Sequence, residues 1–116
     1  MAKDALAPDV ARDLPVMHGY FREYLLMTAT EKAEIRAGFE AFAEKNDYRL
    51  GKIFMERVET APDALRALVT AVLDDKAAAI AVPSLVHFSV FGHPIAIQKQ
   101  LEAALHAPVL CSRATT

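Results

Sequence analysis

Cysteine is nearly missing from this chain: Cys111 is the only one among 116 residues. It cannot close an internal disulfide, and no CxxC pair offers zinc spacing, so the expectation is a reducing compartment with no structural metal. Clustered positive charge is also missing. Thirteen basic residues face fifteen acidic ones, interspersed, for a formal net charge of −2. No basic face therefore marks a nucleic-acid binder. The chain has no apolar run long enough to span a bilayer. Its first residues, "MAKDALAPDVARDLP", carry Asp4, Asp9 and Asp13 where a secretory signal needs an unbroken apolar stretch. These absences lead to an expectation of a cytoplasmic, membrane-free protein.

What is present suits one folded unit. At 53% hydrophobic and 24% charged, a chain of this length buries most of its apolar surface on folding. Residues 1–14 lack a sustained period and read as a flexible N-terminal arm, with a single domain over 15–116. "PVMHGYFREYLL" contains the β-compatible Val16, Tyr20 and Phe21 and is the first predicted strand. In "TATEKAEIRAGFEAFAEKND", Thr28 and Glu31 have capping-box spacing, and Ile35, Phe39, Phe42 and Ala43 form a helical stripe. "YRLGKIFMERV" is a second strand. "TAPDALRALVTAVLDDK" is a second helix, with Thr60 as its expected cap and Leu65, Leu68, Val69, Val72 and Leu73 on one side. "AAAIAVPSL" is continuously apolar, the pattern of a strand covered on both faces. A loop, "VHFSVFGH", leads to a third helix that begins at Pro94, and "APVLCSRA" closes as a fourth strand containing a buried Cys111.

Strands alternate with helices across connections too long for hairpins. The predicted fold is therefore α/β, a three-layer sandwich around a mainly parallel four-stranded sheet. Ligands in such folds gather at the carboxyl ends of the strands. The positions selected by that rule are Arg22 and Tyr24, Glu56 and Arg57, and Ser84 to Ser89.

Those positions resemble a known family. "GYFREY" is similar to the opening G-Y-x-R-V-S of the serine recombinases, the resolvase and invertase group. "FAEKNDYRLGKIFME" looks like the stretch after their first helix, and "IAVPSLVHFSV" is similar to their V-x-x-L-D-R-L-S-R segment. The resemblance implies a resolvase-like fold. It also implies a chemistry in which a serine attacks a DNA phosphodiester while arginines stabilise the developing charge. Arg22 matches the first arginine of the motif, but Tyr24 stands in the place of the serine. Val86 and His87 occupy the Asp-Arg pair, and Val90 replaces the next arginine. In "VETAPDAL", Thr60 stands in for a serine and Pro62 for an arginine, while Glu56 falls near an acidic position. Each missing cation removes about the stabilisation of an oxyanion-hole donor, ~3 kcal/mol. The sequence also stops before the family's dimer helix and helix-turn-helix. The resemblance thus implies a non-catalytic pseudoenzyme.

Three functions remain open: a protein-interaction or regulatory module, possibly self-associating; a binder of a small anion or nucleotide at Arg22, Tyr24, Ser84 and His87; and a phosphoryl-transfer enzyme using Tyr24. No cofactor is expected. Arg22 is expected to pair with Glu56 or Glu23. Phe88 and Phe91 form a contact patch if they point outward, and helix–sheet core if they fold back. His18, His87 and His93 match no tight metal-ligand spacing.

Overall fold

The computed structural model describes residues 14–113, so most of the expected arm lies outside the described residues. Strand β1 (Val16–Glu23) runs through the middle of the sheet and is buried on both faces. Met17 and Phe21 face one side, and Tyr20 the other. Helix α1 (Ala29–Lys45) follows it, started by the capping box that the sequence announces: Glu31 N–H donates to Thr28 Oγ1 at 3.0 Å, and Thr28 N–H to Glu31 Oε1 at 2.8 Å. Ile35, Phe39 and Ala43, four residues apart, are the positions it buries. Gly19 lets this helix approach closely, because a Cβ there would stand 2.9 Å from the Phe39 ring.

Strand β2 (Arg49–Arg57) lies at one edge, followed by a 3-10 turn (Val58–Thr60) and helix α2 (Asp63–Asp75). Strand β3 (Ala79–Val82) is buried throughout, a 3-10 helix (Leu85–Phe91) follows it, and α3 (Pro94–Leu105) leads to β4 (Val109–Cys111). The sheet order is β2-β1-β3-β4 with every pairing parallel. Travel reverses after β2, so crossovers of one hand put α1 on one face and α2 with α3 on the other. The two cores confirm these three layers: Met17, Phe21, Ile35 and Phe39 on the α1 side, and Tyr20, Leu68, Ile80, Phe88 and Leu101 on the other. The reversal also opens a switch point between the carboxyl ends of β1 and β3.

A bulge marks the edge pairing. From Met17↔Leu50 to Gly19↔Ile53, β1 advances two residues and β2 three. His18 repairs the ladder there. Its Nδ1 accepts from Lys52 N–H at 3.0 Å, and Nε2 therefore donates to Asp75 Oδ2 at 3.0 Å. Three details depart from the sequence reading. Leu73 is exposed although it was expected on the α2 stripe. Cys111 is exposed because β4 is short and lies at the edge. "VHFSVFGH" is wound rather than irregular. Among the described residues no helix is long and apolar enough to cross a membrane.

Candidate functional site

The carboxyl end of the sheet begins with Glu56, which is fully buried. Its Oε1 accepts from the Tyr20 hydroxyl at 2.9 Å and from Leu65 N–H at 2.9 Å, and its Oε2 accepts from Ala64 N–H at 3.0 Å. Helix α2 has Pro62 at its N-cap position and no side-chain cap of its own. Glu56 takes over that role from the end of β2, placing a negative charge at the positive end of the helix. Thr60, the expected cap, ends the preceding 3-10 turn and does not perform it. The Tyr20 phenol is pushed well above its ordinary value, first by burial and then by its bond to Glu56. It stacks on Phe88 with ring centroids 5.6 Å apart.

On the same face of β1, two residues further along, is Arg22. Its backbone N–H donates to His87 Nδ1 at 2.9 Å. That bond fixes the ring proton on Nε2. Burial, then the charges of Arg22 and Arg113, lower the His87 pKa to about 4, so the imidazole is neutral. Nε2 has no protein partner among the described residues. No buried side-chain nitrogen or oxygen there lacks a partner, so this nitrogen reaches the surface.

The expected Arg22 ion pair does not form. Glu23 points to the opposite face of the sheet, where it pairs with Lys32 of α1 and with Arg57, whose Nε lies 3.4 Å away. Glu56 is held by Tyr20 and α2. Among the described residues neither Arg22 nor Arg113 has a salt bridge. Arg113 follows β4, and its N–H donates to Pro83 O at 3.2 Å, beside the start of the His87 turn.

The four expected ligand residues therefore separate. Arg22 and His87 meet directly. Ser84 opens the 3-10 helix, and its carbonyl accepts from His87 N–H at 3.2 Å. Tyr24 turns toward α1 and donates to Glu31 Oε2 at 3.2 Å. Its pKa is raised, by desolvation and then by Glu31, which is the wrong direction for a nucleophile.

Phe88 and Phe91 fold back. Phe88 is fully buried against Tyr20, and Phe91 packs on the same core, so neither offers the expected contact patch. Their spacing explains it: at three residues per turn, Leu85, Phe88 and Phe91 eclipse on one side. Val86 and Val90 are left facing out. The sequence reading missed other exposed apolar residues, in the turn after β1. Met27 N–H closes a turn onto Tyr24 O at 3.0 Å, with Leu25 and Leu26 at its apex, 87% and 86% exposed. Leu26 has φ +68°, a left-handed conformation that favours glycine. With Tyr24, Val58 and Glu59 this turn borders a cavity of about 450 Å³.

Large exposed apolar side chains among the described residues are Tyr24, Leu25, Leu26, Val58, Leu73, Val86, Val90 and Ile95. All except Leu73 stand in segments that leave the carboxyl ends of β1, β2 and β3. Each helix N-terminus at this end has one or two of its first-turn amides bonded within the chain. Thr28 and Glu31 cap α1, Glu56 caps α2, and His93 Nδ1 accepts from Ile95 N–H at 3.3 Å on α3. Among the described residues no three histidine, cysteine, aspartate or glutamate side chains converge as metal ligands. Compared with known proteins, the chain matches no family model, no curated sequence and no solved structure.

Proposed function

We propose that this chain is a non-catalytic protein-interaction module, regulatory in role, whose contact surface is the carboxyl end of its sheet. One observation carries the reading: the exposed large apolar side chains gather on that end, with Leu25 and Leu26 at the apex of a turn. Exposed apolar side chains grouped at one end of a fold are an ordinary mark of a contact surface. The left-handed Leu26 adds to this, since a strained backbone at an exposed leucine points to a use for the side chain. The similarity of "GYFREY" and "IAVPSLVHFSV" to serine recombinases supports derivation from that catalytic domain, and the raised phenol of Tyr24 supports the loss of catalysis. A cytoplasmic setting fits the lone cysteine.

A small anion at Arg22 and His87 is the second reading, favoured by an Arg22 that has no salt bridge among the described residues. The internally bonded amides of the helix starts weigh against a nucleotide, because phosphates in α/β folds are usually held by open helix amides.

The test is affinity capture with wild-type chain and with a Leu25→Ser/Leu26→Ser variant as bait, followed by reconstitution from purified components. Sedimentation over a wide concentration range covers self-association. The reading expects a partner, or a second copy, that binds the wild type and is lost with the variant. A chain that stays monomeric and reconstitutes with nothing contradicts it. Stabilisation by phosphate or nucleotide in a thermal shift, abolished by Arg22→Ala, would favour the second reading.

A further inference from the structure

The centre of the proposed contact face has the chemistry of an oxyanion receptor. The Arg22 amide occupies His87 Nδ1, so the ring presents Nε2–H outward. Arg22 and Arg113 both lie close enough to act on the imidazole, and burial with their two charges keeps it neutral and therefore a fixed donor. Neither guanidinium has an ion pair among the described residues, because Glu23 serves Lys32 and Arg57 on the other face and Glu56 is spent on Tyr20 and α2. Among the described residues none of these three donors has an acceptor. The apolar Val86 and Leu25–Leu26 stand in the segments on either side.

We propose that this face docks a protein segment that seats a carboxylate against Arg22, Arg113 and His87 Nε2–H and packs its flanking large apolar side chains on Val86 and the Leu25–Leu26 turn. This rests on the interaction reading and names the partner's chemistry. Charge complementarity supplies the argument: two guanidiniums without an ion pair among the described residues and a neutral donor match one carboxylate, which arginine binds with planar, bidentate geometry. A phosphate-bearing partner fits less well, since the Glu31, Ala64, Leu65 and Ile95 amides at the helix starts are already bonded within the chain. The surrounding apolar residues exclude water and strengthen the central pair, as hot-spot rims do.

Selection from a library of short random peptides displayed against the full folded chain tests this directly. The enriched peptides should share an aspartate or glutamate flanked by leucine, isoleucine, phenylalanine or valine. In a synthetic version of the strongest binder, replacing the acid by its amide should weaken binding roughly tenfold, as should Arg113→Ala or Arg22→Gln in the protein. Arg113 is exposed, so its substitution leaves the fold intact. Arg113→Glu should be rescued by a lysine in place of the peptide's acid. Enriched peptides without an acid, or indifference to both arginine variants, would overturn the inference while leaving the interaction reading standing. Tighter binding of a phosphoserine peptide than of its acidic counterpart would overturn the carboxylate in favour of phosphate. No enrichment, together with no partner and no self-association by capture and sedimentation, would remove both.

Discussion

His87 makes a measurable demand on pH. Its ring is buried, accepts a hydrogen bond from the Arg22 amide and feels the positive charges of Arg22 and Arg113, all of which disfavour a second proton. The folded chain therefore holds it at about 4 against an ordinary 6.5. Unfolded chain binds a proton on this residue as pH falls below 6.5, while folded chain does not until about 4. Stability from this site is full above 6.5 and is lost progressively down to about 4. That interval amounts to ~3 kcal/mol at roughly 1.4 kcal/mol per pH unit. Glu23 and Glu31 also stabilise the fold through lowered pKa values, set chiefly by Lys32 and by the Thr28 amide. They release that stability only below the ordinary carboxylate value of 4.5, so the upper part of the interval belongs to histidine. Urea unfolding at a series of pH values, for wild type and His87→Gln, isolates the effect. Glutamine can still accept from the Arg22 amide but does not titrate. The wild type should lose about 2 kcal/mol more than the variant between pH 6.5 and 4.5. Equal slopes, or an NMR titration of His87 near 6.5, would refute the reasoning.

Other perturbations follow from the same geometry. Glu56→Leu leaves the Ala64 and Leu65 amides and the Tyr20 hydroxyl without their acceptor and should cost at least ~3 kcal/mol in denaturant unfolding, with Glu56→Gln costing less; a loss under about 0.5 kcal/mol would mean the helix cap contributes little. Gly19→Ala drives a methyl to 2.9 Å from Phe39 and should destabilise by ~1–3 kcal/mol, partly recovered by Phe39→Leu. A neutral Gly19→Ala would mean that α1 sits further from β1. Leu26→Gly should raise stability by ~1 kcal/mol in thermal unfolding by relieving the left-handed backbone, while weakening partner binding. A simultaneous gain in binding would deny the side chain a role in contact.

Local signals were the ones the sequence displayed openly. The Thr28–Glu31 box, the four-residue spacing of Ile35, Phe39 and Ala43, and the unbroken apolar run around β3 each act within a few residues, and each appears as expected. Alternation of strand and helix then left a parallel sheet as the natural arrangement, and the sheet is parallel throughout. The site was harder to see because its decisive bonds are long-range. Glu56 reaches α2 across a turn containing a proline, and Arg22 meets His87 sixty-five positions away. No spacing rule connects such pairs. Phe88 and Phe91 were legible in principle, since their three-residue interval with Leu85 fits a 3-10 helix, but a loop reading hid it. Arg22 was read as half of an ion pair because Glu23 and Glu56 stood with it at the predicted strand ends. Strand alternation sends Glu23 to the other face, and Tyr20 with the α2 amides takes up Glu56, so neither expected partner reaches the arginine.

The most direct measurement of the contact face compares three versions of the chain against one bound peptide or partner: wild type, Leu25→Ser/Leu26→Ser, and Leu73→Ser. Leu73 is an exposed apolar residue of α2 outside the segments that leave the strand ends, so it controls for surface hydrophobicity as such. The account predicts at least a roughly tenfold loss of affinity for the double variant and none for Leu73→Ser. Equal losses from both, or no loss from either, would contradict it.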